Sequence, residues 1–510
     1  MIRKVGFVWL AIMLTAALLL SACGNSKEVN STPTNSAGVK DGDGSSPKPS
    51  ELPPYEINLV FYGPAQKDLD LVAEEMSKIT KEKINATVKL VRIEPAAWDQ
   101  QSILMLTSKE QVDLIVTGGS SYSRQVAQGQ LLPLDDLLQE HGQDIIKAFQ
   151  PEVLAASKVN GQTYAVPSIR DFASDPIVLM RTDLLEKYNL SLDNVKKLDD
   201  LDAIFKVIKE NEPNINVLGK ASAAASIGNR LLETQWDILG DYIGVLPNLD
   251  ELKVVNLYET PEYADMLKTI RRWYLAGYIH KDAATSNETA VDYIKANVGF
   301  ATISKGKPGA VAQTENRTET KLSSVSLGHQ ITSTTNITSI MLGIPTNSKD
   351  PARTMMFLNL LNSDPDLVNL INWGIEGKHY AKVSESSIDF PPGVDSTNSG
   401  FNLRQGWMFG NQLLSYTWAT DIPELWKEME VFNRESKKSA ALGFTYNPIP
   451  VKTELAAISN VTRQYSMALE TGTLDPEVNL PKFIAALKDA GIDKVIAEKQ
   501  KQLDEWAENK

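Results

Sequence analysis

The sequence predicts an α/β fold, and three observations carry that reading. Short apolar runs ending in glycine alternate with stretches of helical periodicity after Tyr55. Strand and helix in strict alternation imply parallel strands joined by crossover helices, hence a sheet flanked by helices. The chain has 510 residues, 42% hydrophobic and 23% charged, the balance of an ordinary globular protein. At roughly 150 residues per domain, that length makes two or three domains.

Order is expected to begin at Tyr55. Glu56 to Tyr62 reads as a strand and stops at Gly63-Pro64, because glycine and proline end regular structure. A helix follows, with Leu69, Val72, Met76 and Ile79 on one face and Lys67, Asp70, Glu74 and Lys78 off it. Thr87 to Ile93 is the next strand, Trp98 to Ser108 the next helix, and Asp113 to Thr117 a third strand ending at Gly118 to Ser121. Ligands of such sheets collect at the carboxyl ends of strands, where loops and helix N-termini expose backbone donors. Tyr62, Ser120 and Ser121 sit at such ends and are candidate ligand contacts, with Trp98 at the head of the intervening helix.

The N-terminus sets the compartment. Arg3 and Lys4 precede an apolar run to Leu20, closed by Ser21 and Ala22, which is the grammar of a signal peptide. The run is short for a membrane span, so cleavage is a better reading than a retained anchor. Cys23, the single cysteine, stands where the Leu-x-x-Cys signature of bacterial lipoproteins, which this stretch resembles, puts the acylated residue. That resemblance implies lipidation at Cys23 and attachment to the outer face of the cell membrane, two acyl chains giving stable anchoring. Gly24 to about Pro54 lacks large apolar residues and reads as a flexible stalk.

Composition also excludes. A net charge of -13 disfavours nucleic acid, which wants clustered Lys and Arg against phosphate. The histidines His141, His280, His329 and His379 lack paired spacing, so no metal site is expected, and no P-loop, dinucleotide fingerprint or nucleophile elbow is present. No cofactor and no catalytic residue is expected.

Gly129-Gln130-Leu131-Leu132-Pro133-Leu134, followed by Gly161-Gln162-Thr163-Tyr164-Ala165-Val166-Pro167, closely resembles the extracellular solute-binding proteins of the sugar-binding family 1 type, the capture lipoproteins of ABC importers. Arg181-Thr182-Asp183-Leu184-Leu185-Glu186-Lys187-Tyr188 and the block Asn369-Leu370-Ile371-Asn372-Trp373-Gly374-Ile375-Glu376-Gly377-Lys378-His379-Tyr380 extend the similarity over nearly everything after the stalk. The resemblance implies two α/β lobes, each a sheet flanked by helices, joined by a hinge that the Val166-Pro167 strand enters. It implies a monomeric receptor that binds a carbohydrate, an oligosaccharide, between its lobes and hands it to an ABC permease in the cytoplasmic membrane. A peptide receptor and an anchored carbohydrate-active enzyme remain alternatives.

On this reading 1–22 is the signal peptide, 23–54 the lipidated cysteine and stalk, 55–167 with 322–366 the first lobe, and 168–321 with 367–510 the second. Arg170 and Asp171, just past the hinge strand, face the ligand or form a solvated ion pair. Trp236 is favoured for the cleft and Trp273, in a helix with Tyr263, Leu267 and Ile270, for the core. Trp373 and Glu376 offer a plane and an acceptor, with a structural turn capped by Glu376 as the rival. Trp407 adds a further plane, Tyr416 and Trp418 lie nearby, and Ser304 and Lys305 reach the cleft or lie in a surface loop.

Overall fold

The computed structural model describes residues 51–509. The expected signal peptide, Cys23 and most of the stalk lie outside the described residues. Among the described residues no helix is long and apolar enough to cross a membrane.

The strands of the two main sheets are, in chain order, β1 (Tyr55–Tyr62), β2 (Ala86–Ile93), β3 (Leu114–Thr117), β4 (Ala165–Pro167), β5 (Asp175–Arg181), β6 (Asn216–Gly219), β7 (Gly299–Gly306), β8 (Leu322–Ser326) and β9 (Met341–Gly343). The first sheet runs β2-β1-β3-β9-β4 and the second β8-β5-β7-β6. β1 lies parallel to β2 and to β3, as the strand-helix alternation predicts. β9 runs antiparallel to both β3 and β4, with Met341 opposite Thr117 and Pro167. The carboxyl ends of β1, β3 and β4 therefore lie at one end of the sheet, and from that end the chain crosses to the second lobe.

Helix α1 (Leu69–Ile84) packs Val72 and Met76 into the first core. Its buried face also includes Ser77 and Thr80, which a purely apolar pattern leaves out. Both hydroxyls are bonded: Ser77 Oγ donates to Ala73 O and accepts from Val88 N, and Thr80 Oγ1 donates to Ala86 O, so burial leaves no polar atom stranded. Helices α2 (Trp98–Thr107) and α3 (Gly119–Ala127) lie on the opposite face, where Leu106 and Tyr122 pack with Val60, Ile115 and Met341. The second lobe has its own core, with Trp273 fully buried, edge-on to Phe205 and donating from Nε1 to Asp202 at 2.5 Å. Trp273 is thus the core residue its helical spacing predicts.

Two stretches depart from the expected lobe boundaries. Leu322–Ser326 pairs antiparallel with β5, completing the second sheet rather than returning to the first. The helix Pro365–Trp373 buries Leu367 and Ile371 in the first core, joined by Phe401, Leu403, Met408 and Phe409, so residues 367 to about 420 pack with the first lobe. The chain rejoins the second lobe where Lys437–Lys438 pairs with Ile331–Thr332, and the final helices bury Ile458, Phe483, Val495 and Leu503 there. The strand expected over 338–345 is shorter because Ser333 and Asn336 form a capping box that makes Thr334–Thr338 helical.

Candidate functional site

The chain crosses between the lobes three times, over residues 168–174, 327–340 and about 421–436, and the three segments meet at Arg170 and Asp171. Their backbone, just beyond β4, is clasped by Asn433 from the third crossing: its Nδ2 donates to Arg170 O at 2.7 Å, and its Oδ1 accepts from Phe172 N at 2.8 Å and Ala173 N at 3.3 Å. Arg170 reaches the second crossing, donating to Asn336 O at 3.0 Å and to Ser339 Oγ, while its other amine bonds Asp171 Oδ1 at 3.0 Å. Gly118, at the top of β3, abuts this knot, and a Cβ there would overlap the carbonyl group of Ser339. Glycine is required because backbone meets backbone at that point.

Asp171 is shared by the two lobes. Lys307, just past β7, lies 3.3 Å from its second oxygen. Burial opposes ionisation of Asp171, but the charges of Lys307 and Arg170 outweigh it and hold the carboxyl below its ordinary range. Arg170 and Asp171 are therefore a half-buried network tied into both lobes, not the solvated pair that was the rival expectation.

Tyr62 and Trp98 come together on the first-lobe side, ring centroids 5.1 Å apart and tilted by 58°. Both are half-buried. Burial raises the Tyr62 phenol, and the positive charge of Arg170 acts on it in the opposite sense. Tyr62 is the last residue of β1, at the end of the sheet from which the chain crosses. Ser120 is exposed and Ser121 half-buried in the first turn of α3, where Ser121 Oγ accepts from Arg124 at 3.2 Å. From the second lobe, Lys305 pairs with Glu233 at 3.0 Å, and Glu233 takes further bonds from Arg230 at 2.8 Å and from the Tyr242 hydroxyl.

Residues 373–421 add an aromatic wall. Trp418 lies 4.8 Å from Phe390, edge-on to Trp373 at 5.5 Å, and beneath the Arg404 guanidinium at 4.5 Å. Asp421 takes a bond from Trp418 N at 2.9 Å, and burial raises its carboxyl against that bond and the charges of Arg404 and Lys307. Asn316 of the second lobe donates to Thr420 Oγ1 at 2.9 Å.

The structure thus gathers Tyr62, Trp98, Ser120, Ser121, Arg170 and Asp171 around the crossings and places the other candidates elsewhere. Trp236 is 9% exposed in the second core, at the end of a helix whose Leu231 and Leu232 pack with it, so it has no free face. Trp373 braces the wall, its Nε1 donating to Tyr416 O at 3.1 Å. Glu376 is exposed and pairs with Lys382 at 3.3 Å. Its block is held instead by buried His379, which accepts from Ile375 N at 2.9 Å through Nδ1 and bonds Asp68 through Nε2 at 3.0 Å. This is a fastened turn, the rival to a ligand contact. Trp407 packs against the first core. Sequence reasoning missed Lys307, Arg404, Asp421 and Asn433, since isolated charged and amide residues in loops carry no periodic signal.

Chemically, the cations and carboxylates here are mostly paired with one another, leaving aromatic planes, hydroxyls and oriented ionic groups. That set suits a neutral, hydroxyl-rich ligand better than a free ion. Among the described residues no group of three or more His, Cys, Asp or Glu side chains is placed to hold a metal ion.

Two lobes linked by three crossings, with a polar and aromatic network where they meet, are the architecture of a two-lobed binding protein. Residues 75–375 match the family model described as bacterial extracellular solute-binding protein, and this chain belongs to that family. Residues 440–508 match a second model, described as a domain of unknown function. The chain is 29% identical over 524 residues to a carbohydrate ABC transporter substrate-binding protein of Streptococcus pneumoniae serotype 4 (strain ATCC BAA-334 / TIGR4), covering 100% of this chain and 99% of the relative. It superposes with a TM-score of 0.80 and 27% identity on the N-glycan transport solute binding protein NgtS from Streptococcus pneumoniae, covering 90% of this chain and 100% of that one. For NgtS in complex with Man5GlcNAc the values are 0.71 and 28%, covering 90% and 99%.

Proposed function

We propose that this protein captures a neutral oligosaccharide between its lobes and delivers it chemically unchanged to an ABC-type permease. The observation that carries the reading is the Arg170–Asp171–Lys307 network, which joins the hinge to the second lobe beside the Tyr62–Trp98 pair of the first. A sugar stacks its apolar ring face on an aromatic plane and gives its hydroxyls to carboxylate, guanidinium and ammonium groups. Contacts to both lobes favour the closed arrangement, and a permease that reads closure takes up only loaded protein. Likeness to NgtS, described as an N-glycan transport protein and found in complex with Man5GlcNAc, supports a glycan as the ligand class.

Lipidation at Cys23 holds the protein at the outer membrane face, with the stalk giving it reach; the leader and Cys23 of the sequence support this part. No catalysis is required. The test is thermal unfolding of the protein across a panel of N-glycan fragments, plant and bacterial oligosaccharides and peptides, with products checked by chromatography. A rise in melting temperature with one glycan class recovered intact supports capture. Stabilisation by peptides alone, or breakdown of the glycan, contradicts it.

A further inference from the structure

A cavity of about 1180 Å³ lies away from the crossing network and shares none of its residues. Its first-lobe wall is formed by Ser123 and Ala127 on α3 and by Tyr164; its second-lobe wall is formed by Phe444, Tyr446 and Trp506. Ser120 and Ser121, one turn earlier on α3, do not line it. The volume is that of a site for a ligand of more than one ring, slightly above the usual range of roughly 300–1,000 Å³.

Its lining has the chemistry of a sugar site. Phe444 and Trp506 stand edge to face with ring centroids 6.0 Å apart, and Glu498 and Gln502 also line the cavity, the Gln502 amide donating to the Glu498 carboxylate at 2.7 Å. Two side-chain oxygens in its wall, Thr445 Oγ1 and Tyr446 Oη, are buried without a hydrogen-bond partner among the described residues. Tyr446 is 9% exposed and packs its ring against the Lys499 ammonium at 4.8 Å, an arrangement that fixes the ring and leaves the hydroxyl unmatched. A buried unpaired hydroxyl destabilises a fold, and a ligand that bonds it offsets that cost.

We propose that this cavity is a second binding site, taking a neutral, hydroxyl-rich molecule of disaccharide size that both lobes hold at once. Thr445 and Tyr446 supply the hydroxyl contacts, and Tyr164 and Trp506 the planes. The site stands independently of the cleft reading, because it uses none of the same residues.

The test is calorimetric titration of the full chain with neutral disaccharides at millimolar concentration, mannosyl-N-acetylglucosamine, chitobiose and cellobiose among them. Three variants accompany the wild type: Asp171→Asn in the cleft, Thr445→Val with Tyr446→Phe in the cavity wall, and Ala127→Trp, which fills the cavity from an exposed helix position. The wild type is expected to bind two equivalents of one disaccharide and Asp171→Asn one. Each cavity variant is expected to lose the second equivalent, or weaken it at least tenfold. The double variant removes hydroxyls that lack partners, so its melting temperature stays at or above wild type, and Ala127→Trp reads the same site if it does not. A single wild-type equivalent, lost in Asp171→Asn and kept in both cavity variants, overturns the second site and leaves the cleft reading standing. A single equivalent lost only in the cavity variants supports the cavity and overturns the cleft reading. Absence of binding by every disaccharide overturns the second site.

Discussion

Asp171→Asn is the sharpest perturbation of the crossing network, since it removes one charge and almost no volume. Asp171 lies 3.0 Å from Arg170 and 3.3 Å from Lys307, with side-chain exposures of 22%, 13% and 28% respectively. At an effective dielectric of about 20 the two attractions are worth about 5.5 and about 5 kcal/mol before desolvation, which offsets several kcal/mol for each ion. Removing one partner of a buried pair destabilises by about 3–5 kcal/mol, because the charges left behind are uncompensated. Arg170 keeps its bonds to Asn336 O and Ser339 Oγ, so the lower end, about 3 kcal/mol, is expected. The Asp171 carboxyl titrates below its ordinary value in the folded protein. Its stabilisation is therefore fully present above the unfolded carboxylate pKa and disappears as pH falls through the depressed folded value. Urea unfolding of wild type and variant from pH 7 to pH 3 reads both effects: a gap of about 3 kcal/mol at neutral pH that begins to narrow as the pH drops below the ordinary carboxylate range. A gap below about 0.5 kcal/mol at pH 7, or one that widens in acid, refutes the reasoning. Glycan affinity is expected to fall at least tenfold in the same variant.

Further outcomes follow from other positions. Trp98→Ala removes the plane that faces Tyr62 and is expected to weaken glycan binding about tenfold with little change in melting temperature, measured by calorimetry. Trp236→Ala acts in the opposite way: it empties a core site, so stability falls by about 3–5 kcal/mol in denaturant unfolding while any surviving folded protein keeps its glycan affinity. Gly118→Ala drives a Cβ into the Ser339 carbonyl group and is expected to destabilise by about 1–3 kcal/mol, with altered lobe closure in small-angle scattering. His379→Ala breaks the bonds to Asp68 and Ile375 N, destabilising by about 3 kcal/mol. The Asp68 carboxyl is held low first by the His379 bond and then by Lys378, against burial. Wild-type stability from this pair is lost as pH falls through that depressed value, and the acid limb of the stability profile flattens in the variant.

Local periodicity made the first lobe's early strands and helices readable, because each buries one face against a partner close in sequence. β1, α1, β2, α2 and β3 lie within a residue or a few of their expected bounds. The membership of β8 and of residues 367–420 was not readable: strand order and helix docking are decided by long-range packing, and Leu322–Ser326 looks the same beside either sheet. Strand-end logic put Tyr62, Ser120 and Ser121 at the end of the first sheet from which the chain crosses, and the family resemblance put Arg170 and Asp171 just past the hinge strand; the structure has all five at those positions. Aromatic residues in polar, motif-rich stretches misled. Trp236 and Trp407 pack against cores, and the Gly374–His379 block is a turn fastened through His379 to Asp68, whose partner lies 311 residues away. Lys307 and Asn433 matter only because three crossings bring them to Asp171 and Arg170, which no local pattern encodes.

The central claim is capture of an intact glycan between two lobes, and small-angle scattering with and without ligand tests it most directly. The protein is titrated with the oligosaccharide that raises its melting temperature most, and the same samples are then chromatographed. The account predicts a smaller radius of gyration at saturation in wild type, no such change in Asp171→Asn at the same concentration, and the sugar recovered whole. An unchanged radius in saturated wild type, or a sugar returned in fragments, contradicts it.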